Sequence, residues 1–472
     1  MRFASVAFAI CLLVSSSSAQ PPKAESVESK GGVVVCVSPP AADVGLAILK
    51  KGGNAVDAAV AVGFAMAVTW PEAGNIGGGG FMMVAPPGKE VRCIEYRETA
   101  PAAAKVDLFA DGSVGPFDHK AAGVPGTVRG LALAHQKYAK LKWAEVVMPA
   151  VQLAEEGFTV NAVLAGGLNR VLADAKTTNA EFKRVYGKPG GGEWAAGDTL
   201  VLKDLGKTLR LIAEKGADVF YTAEPAELLA QEMKAHGGLI TKADLAAYKA
   251  NDREPIRTTY RGFDVYGPPP PSSGGLCIGQ MLNVLENFEL KKLGRWSPEA
   301  NHIITETMKR TYADRARSLG DPDFVKIPPT FQDRDYAKKM ALLIDPKQAT
   351  PSEKIAPDIV LDKESDSTTH FSIIDKGGMA VSNTYTLENS YGNRVVVPGA
   401  GYILNNEMTD FNEARVHDAD RADWHEAKPH RTRETDVKLA VAGDRDEGRQ
   451  ARAHYRKPGR PHDHQHRALR CG

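Results

Sequence analysis

From Asn54 to Trp70 the chain reads Asn-Ala-Val-Asp-Ala-Ala-Val-Ala-Val-Gly-Phe-Ala-Met-Ala-Val-Thr-Trp, with Asp57 as the single charge. A helix at a protein surface keeps its apolar residues on one stripe, at i, i+3, i+4 and i+7. Here Ala and Val fill every side of the helical wheel, so the segment is a core helix that needs protein around its whole circumference. A preceding helical pattern at 41–51 is split from it by Gly52-Gly53. Strand signals follow at 81–84 and 91–96, flanking the turn Pro86-Pro87-Gly88. Further helices are expected near 128–138, 143–156, 204–215, 227–236 and 298–319, with Pro268 to Gly275 as loop. From Thr368 the pattern becomes a β-hairpin: Thr369 to Ile374, the turn Asp375-Lys376-Gly377-Gly378, then Met379 to Leu387. The body from Gln20 to Asn412 is therefore α/β, without internal repeats.

Composition removes the extreme classes. With 43% hydrophobic and 25% charged residues, disorder, collagen and coiled coil are excluded. A net charge of +1 gives no global field toward nucleic acid or anionic membrane. The length allows several domains or one large α/β unit. Cys11, Cys36, Cys93, Cys277 and Cys471 are too few and too scattered for a disulfide framework or a zinc site. Met1-Arg2, the apolar run Phe3 to Val14 and the small residues up to Ala19 have the form of a secretory signal peptide cut near Ala19-Gln20. The run is shorter than the roughly 20 residues of a membrane span. A periplasmic or secreted protein is expected, with no membrane span after cleavage.

Three places could carry chemistry. The run Gly74-Asn75-Ile76-Gly77-Gly78-Gly79-Gly80-Phe81 lacks the Lys-Ser/Thr of a phosphate loop and reads as a close-packed backbone turn. No Gly-x-Ser-x-Gly elbow is present, and Ser272-Ser273 reads as turn chemistry. His370 has no adjacent nucleophile and reads as structural. Thr368 leaves two readings open. It is either the start of a strand rich in β-branched residues, or a nucleophile that, at a new N-terminus, would carry its own base, the α-amine.

Several motifs bear on that choice: Thr368-Thr369-His370-Phe371-Ser372, Asn383-Thr384-Tyr385-Thr386-Leu387, and Leu404-Asn405-Asn406-Glu407-Met408-Thr409-Asp410-Phe411. With Gly74 to Phe81, Tyr96-Arg97-Glu98-Thr99-Ala100-Pro101, Gly123 to Thr127, Pro269 to Gly275 and Leu319 to Phe324, they resemble the γ-glutamyltransferase (glutathione hydrolase) family over about 31–412. The resemblance implies an N-terminal-nucleophile hydrolase, a four-layer αββα sandwich with two central sheets. It implies a proenzyme that cuts itself between Ser367 and Thr368 into a heterodimer: signal peptide 1–19, large subunit 20–367, and the start of a small subunit at 368–412.

The family's roles carry over residue by residue. Thr368 would be the nucleophile of both self-cleavage and turnover, with Thr386 hydrogen-bonding beside it. Arg97 would clamp the substrate α-carboxylate, and Glu407 with Asp410 would bind its α-ammonium. Glu388 stands where many members have Asn and can accept from an ammonium but cannot donate. Donors would be γ-glutamyl compounds such as glutathione, acceptors water, amino acids or peptides. No metal or organic cofactor is implied. A β-lactam side-chain acylase of the same fold is the neighbouring alternative.

The tail 413–472 departs from the pattern. It holds seven of the 12 histidines and 11 arginines, with few aliphatic residues, and is not expected to supply core strands. The family's Leu-Ser-Ser and Gly-Ser-Pro-Gly-Gly segments, the latter forming the oxyanion hole, are missing from it. The genetic code allows a back-translation that, read one nucleotide later, restores both in order, so the tail reads as a frameshift just after Asn412. Taken as printed, the chain would be an inactive, unprocessed homologue.

Overall fold

Asn54 starts the core helix by capping it. Its side chain accepts from the Val56 and Asp57 amides at 3.0 Å each, while Asp57 accepts from the Asn54 amide at 2.8 Å. All of Ala55–Thr69 is buried, as the unstriped composition requires. Helices Pro39–Lys50, Thr127–Tyr138 and Trp143–Glu156 pack around it, and Asp57 reaches past them to the Leu141 amide at 3.0 Å.

The computed structural model describes residues 25–105, 107–359 and 367–410, and the short strands Ala440–Ala442 and Ala453–Tyr455. The expected signal segment 1–19 and the rest of the tail 413–472 lie outside the described residues. The chain divides into two units. In one, Glu25–Val27 pairs antiparallel with Ala453–Tyr455. The other, Gly31–Asp446, holds everything that follows.

Its central sheet has six antiparallel strands in the order Gly32–Val35, Thr368–Asp375, Ala380–Thr386, Gly79–Ala85, Arg92–Glu95 and Asn251–Arg253. The hairpin expected from Thr368 thus occupies the middle of the sheet, in the register Thr368 opposite Thr386. Period-2 alternation divides its two faces. Met82, Val84, Ile94, Phe371, Ile373 and Tyr385 enter the helical core. Phe81, Met83 and Cys93 face the other way, against Val91 and Tyr266. By the same alternation Thr368 and Thr386 are on the face away from the core helices.

A second sheet lies on that side. It is the hairpin Ile256–Tyr260 with Phe263–Gly267, edged by the backbone of Ala440–Ala442. The tail's contribution to this unit, among the described residues, is that three-residue edge strand. Helix Gly274–Leu285 packs on the second sheet, with Leu276, Cys277 and Phe331 packing on Ile256, and Pro298–Ser318 and Arg334–Leu342 pack on that helix in turn. The order helices, sheet, sheet, helices is the expected αββα. One expectation needs correction: Gly274 and Gly275 are not loop but the first turn of a helix. Gly275 is required there because a Cβ would come within 2.4 Å of the Pro268 carbonyl oxygen. Among the described residues no helix is long and apolar enough to cross a membrane.

Candidate active site

The glycine run is where three backbones meet. A Cβ on Gly78 would lie 2.1 Å from the Thr386 carbonyl oxygen, and one on Gly77 2.1 Å from that of Ile403. The Gly78 and Gly80 amides are already used, donating to Asn75 Oδ1 at 3.0 Å and to the Tyr96 carbonyl at 3.2 Å. The reading as a packed turn rather than an anion cradle therefore holds.

Two buried asparagines fasten this junction. Asn75 Nδ2 donates to the carbonyls of Ala73 at 2.9 Å and Thr386 at 2.8 Å, while its Oδ1 accepts from Gly78 and from the Thr127 hydroxyl at 2.7 Å. Asn405 Nδ2 donates to the Gly77 and Gly123 carbonyls at 2.8 Å each, and its Oδ1 accepts from the amides of Gly123 at 2.8 Å and Glu407 at 3.0 Å. One clamp fixes the strand end bearing Thr386, the other the turn bearing Glu407. Neither asparagine was assigned a role from sequence, although Asn75 stands inside the glycine run.

At the strand end, the Thr368 hydroxyl donates to Thr386 Oγ1 at 3.5 Å. Thr386 Oγ1 in turn donates to the Ser367 carbonyl oxygen at 3.0 Å and accepts from the Glu388 amide at 2.8 Å. One hydroxyl thus touches the candidate nucleophile, the carbonyl of the bond preceding it, and the backbone of the next pocket. His370, on the same face, is held by Thr384 Oγ1 at 2.7 Å and Ser372 Oγ at 2.9 Å, consistent with a structural role. Ser272 Oγ accepts from the Gly274 amide at 3.2 Å, which is turn chemistry.

The neighbouring pocket is built of charges. Glu407 and Asp410 open and close one 3-10 turn, Glu407–Asp410, in which residues three apart eclipse, so both carboxyls project to one side. Arg97 forms an ion pair with Glu407 and lies 3.7 Å from Asp410 and 4.0 Å from Glu98. Glu388 completes the group: its carboxylate and those of Glu407 and Asp410 lie within 4.8 Å of one another. All five side chains are buried.

Four carboxyls thus surround one guanidinium away from water. Burial pushes the Glu98 carboxyl well above the ordinary range, and the charge of Glu407 adds to this. Burial likewise raises Glu407, against the opposing pull of Arg97. Asp410 is raised well above the carboxylate range, first by burial and then by the charges of Glu388 and Glu407. Carboxyls raised by burial and by one another are relieved when a further cation comes to lie among them. A compact ammonium fits better than a metal ion, because the guanidinium already stands among the carboxyls.

Known proteins share this sequence and fold. The family profile described as Gamma-glutamyltranspeptidase matches residues 41–434. The chain belongs to the γ-glutamyltranspeptidase family. It is 48% identical over 393 residues to the glutathione hydrolase proenzyme of Escherichia coli (strain K12), covering 82% of this chain and 68% of that protein. Its structure superposes on the crystal structure of Helicobacter pylori γ-glutamyltranspeptidase with a TM-score of 0.68 and 40% identity, over 72% of this chain and 99% of that one. The cephalosporin acylase from Bacillus halodurans matches with a TM-score of 0.77 at 27% identity, over 90% of this chain and 77% of the acylase. These neighbours establish the N-terminal-nucleophile hydrolase fold. All six residues expected at a γ-glutamyltranspeptidase site, Thr368, Thr386, Arg97, Glu388, Glu407 and Asp410, come together here in two adjoining groups. Glu98, adjacent to Arg97 but given no role from sequence, is the further member.

Proposed function

We propose that the protein is an exported γ-glutamyltransferase and glutathione hydrolase proenzyme that cuts itself between Ser367 and Thr368. The observation that carries this reading is the Thr386 hydroxyl, 3.0 Å from the Ser367 carbonyl oxygen and 3.5 Å from Thr368 Oγ1. It is placed to polarise the carbonyl that Thr368 Oγ1 attacks. Attack forms an ester and breaks the Ser367–Thr368 amide. Water then hydrolyses the ester, leaving a Ser367 carboxylate and a Thr368 α-amine.

That amine, with an ordinary pKa near 8, takes the hydroxyl proton as Thr368 attacks the γ-carbonyl of a donor. The amine product leaves with the proton, and water or an amino-acid amine resolves the γ-glutamyl ester. The substrate head group brings one carboxylate and one ammonium. It exchanges the internal Arg97–Glu407 pair for two intermolecular ones, with Arg97 on the carboxylate and Glu407 and Asp410 on the ammonium. The backbone from Thr386 to Glu388 spans at most about 7 Å, the scale on which one glutamyl residue joins head group to reacting carbonyl. An acyl donor without an α-ammonium would leave the buried carboxyls facing no new cation, which disfavours the β-lactam acylase alternative.

Gel electrophoresis of the purified protein and of Thr368→Ala tests the first step, and release of product from a γ-glutamyl anilide the second. We expect two bands for the parent and one for the variant; equal cleavage in both would overturn the assignment of Thr368. Arg97→Lys is expected to raise KM for the donor about 10–100-fold, since a lysine cannot reproduce the forked contact. The printed tail supports a second outcome. Without the Gly-Ser-Pro-Gly-Gly amides, each oxyanion donor lost costs about 2.7–4 kcal/mol, and the chain as printed would remain single and inactive. A nucleotide read across Asn412 decides between the two.

A further inference from the structure

Among the described residues a second cluster of ligating side chains lies outside the candidate active site, formed by His119, Glu232 and His236. We propose that these three residues form a binding site for a divalent transition-metal ion, with zinc as the best match.

The donors come from two separated parts of the chain. His119 opens the 3-10 turn His119–Ala121, which Asp118 caps by accepting from the Lys120 amide at 2.8 Å. Glu232 and His236 lie on successive turns of the helix Glu224–His236, the i, i+4 spacing that puts two side chains on one face. His119 Nε2 is 2.9 Å from Glu232 Oε1, and His236 Nδ1 is 3.2 Å from the same oxygen. The rings stack with centroids 4.7 Å apart and planes at 12°, so binding one ion requires a ring rotation, for which the exposed His236 has room. All three ligand atoms lie within 4.8 Å of one another. Tetrahedral zinc, with bonds of about 2.0–2.2 Å, requires ligand atoms roughly 3.3 Å apart. The two measured edges are within a few tenths of that value.

The donor set also selects the ion. Two neutral imidazoles and one carboxylate suit zinc or its first-row neighbours, and not magnesium or calcium, which take all-oxygen shells. Three protein ligands leave a fourth position for water. The approach is from the His236 side: that side chain is 54% exposed, against 15% for His119 and 11% for Glu232. His119 is held from behind, because a Cβ on Gly238 would lie 3.1 Å from the His119 Cβ and 2.1 Å from Met233 Sδ. The metal would therefore bolt the turn at His119, which packs against the Glu407–Asp410 turn, to the helix Glu224–His236.

Titration of the chelator-stripped full chain with ZnCl2, by calorimetry and by thermal unfolding, tests this. The seven tail histidines can bind zinc themselves, so the readout is the difference in equivalents. The parent should bind one more equivalent than His119→Ala or His236→Gln, and only the parent should show a rise in Tm from that equivalent. Glu232→Gln preserves shape but removes the charge, and should weaken the site at least tenfold. His236→Gln alters an exposed side chain and keeps the test valid if His119→Ala folds poorly. Equal stoichiometry and equal zinc-dependent Tm shifts in parent and variants would overturn the proposal.

Discussion

Replacing Asn75 with alanine should cost about 2.5–7.5 kcal/mol, far more than loss of one small polar side chain suggests. The residue is 3% exposed and joins four groups: the Gly78 amide, the Thr127 hydroxyl, and the carbonyls of Ala73 and Thr386. A satisfied hydrogen bond contributes about 0.5–1.5 kcal/mol net, but a buried group left without a partner costs about 1–3. The Gly78 amide has no alternative acceptor described, so it bears the larger figure. The hydroxyl can rotate and the carbonyls tolerate under-satisfaction better, so each bears the smaller. Equilibrium denaturation in urea, followed by two optical probes, measures the sum. The Thr368→Ala background keeps precursor and cleaved forms from mixing. Thr127→Val provides the internal check: because its hydroxyl donates to Asn75, the double variant should lose about 1 kcal/mol less than the two single costs added. A loss below about 1 kcal/mol for Asn75→Ala, or strict additivity with Thr127→Val, would show that the clamp does not hold the strand end as argued.

Two further outcomes follow from the charge pocket. Glu388 has φ of 75°, a left-handed conformation that asparagine adopts far more readily than glutamate. Glu388→Asn should therefore stabilise the fold by about 1 kcal/mol or more in the same denaturation assay, and a destabilised variant would contradict this account. The second outcome concerns pH. Glu98, Glu407 and Asp410 have carboxyls raised above their unfolded range. Their contribution is thus fully present below about pH 4 and lost as pH rises through the raised values. Asp410→Asn removes one such group, so its stability should fall less steeply, or rise more, than the parent's between about pH 4 and 8. The difference in slope is at most about 1.4 kcal/mol per pH unit. Parallel curves would exclude a raised Asp410.

Most of the architecture was legible where local pattern and tertiary role coincide. The core helix announced itself by having no polar face, and the helix at Trp143–Glu156 was placed to the residue. The hairpin was legible from its alternation and its Gly-Gly turn. Strands Ile256–Tyr260 and Phe263–Gly267 escaped notice because they lie half-exposed, with Arg257, Thr259, Asp264 and Tyr266 diluting the signal. The helix start at Gly274-Gly275 was hidden by residues whose local preference is for turns; close approach to Pro268 overrides it. The site divides similarly. Thr368 was readable as a candidate from its own chemistry, whereas Arg97, Glu407 and Asp410 depended on resemblance. Asn75 and Asn405 could not be read as clamps, because the partners that make them so, Thr386 and Gly123, lie 311 and 282 residues away in sequence.

The position of the hairpin has one more consequence. Thr368–Asp375 is laced on one side to Gly32–Val35 and on the other to Ala380–Thr386, which is itself laced to Gly79–Ala85. The proposed cut before Thr368 would yield two polypeptides that share a single sheet, with the hairpin of the newer piece set between Gly32–Val35 and Gly79–Ala85 of the older one. Parting them would mean breaking the sheet at both seams. With Thr368 registered opposite Thr386 by this pairing, the proposed cut would follow assembly of the sheet, and maturation would report on folding.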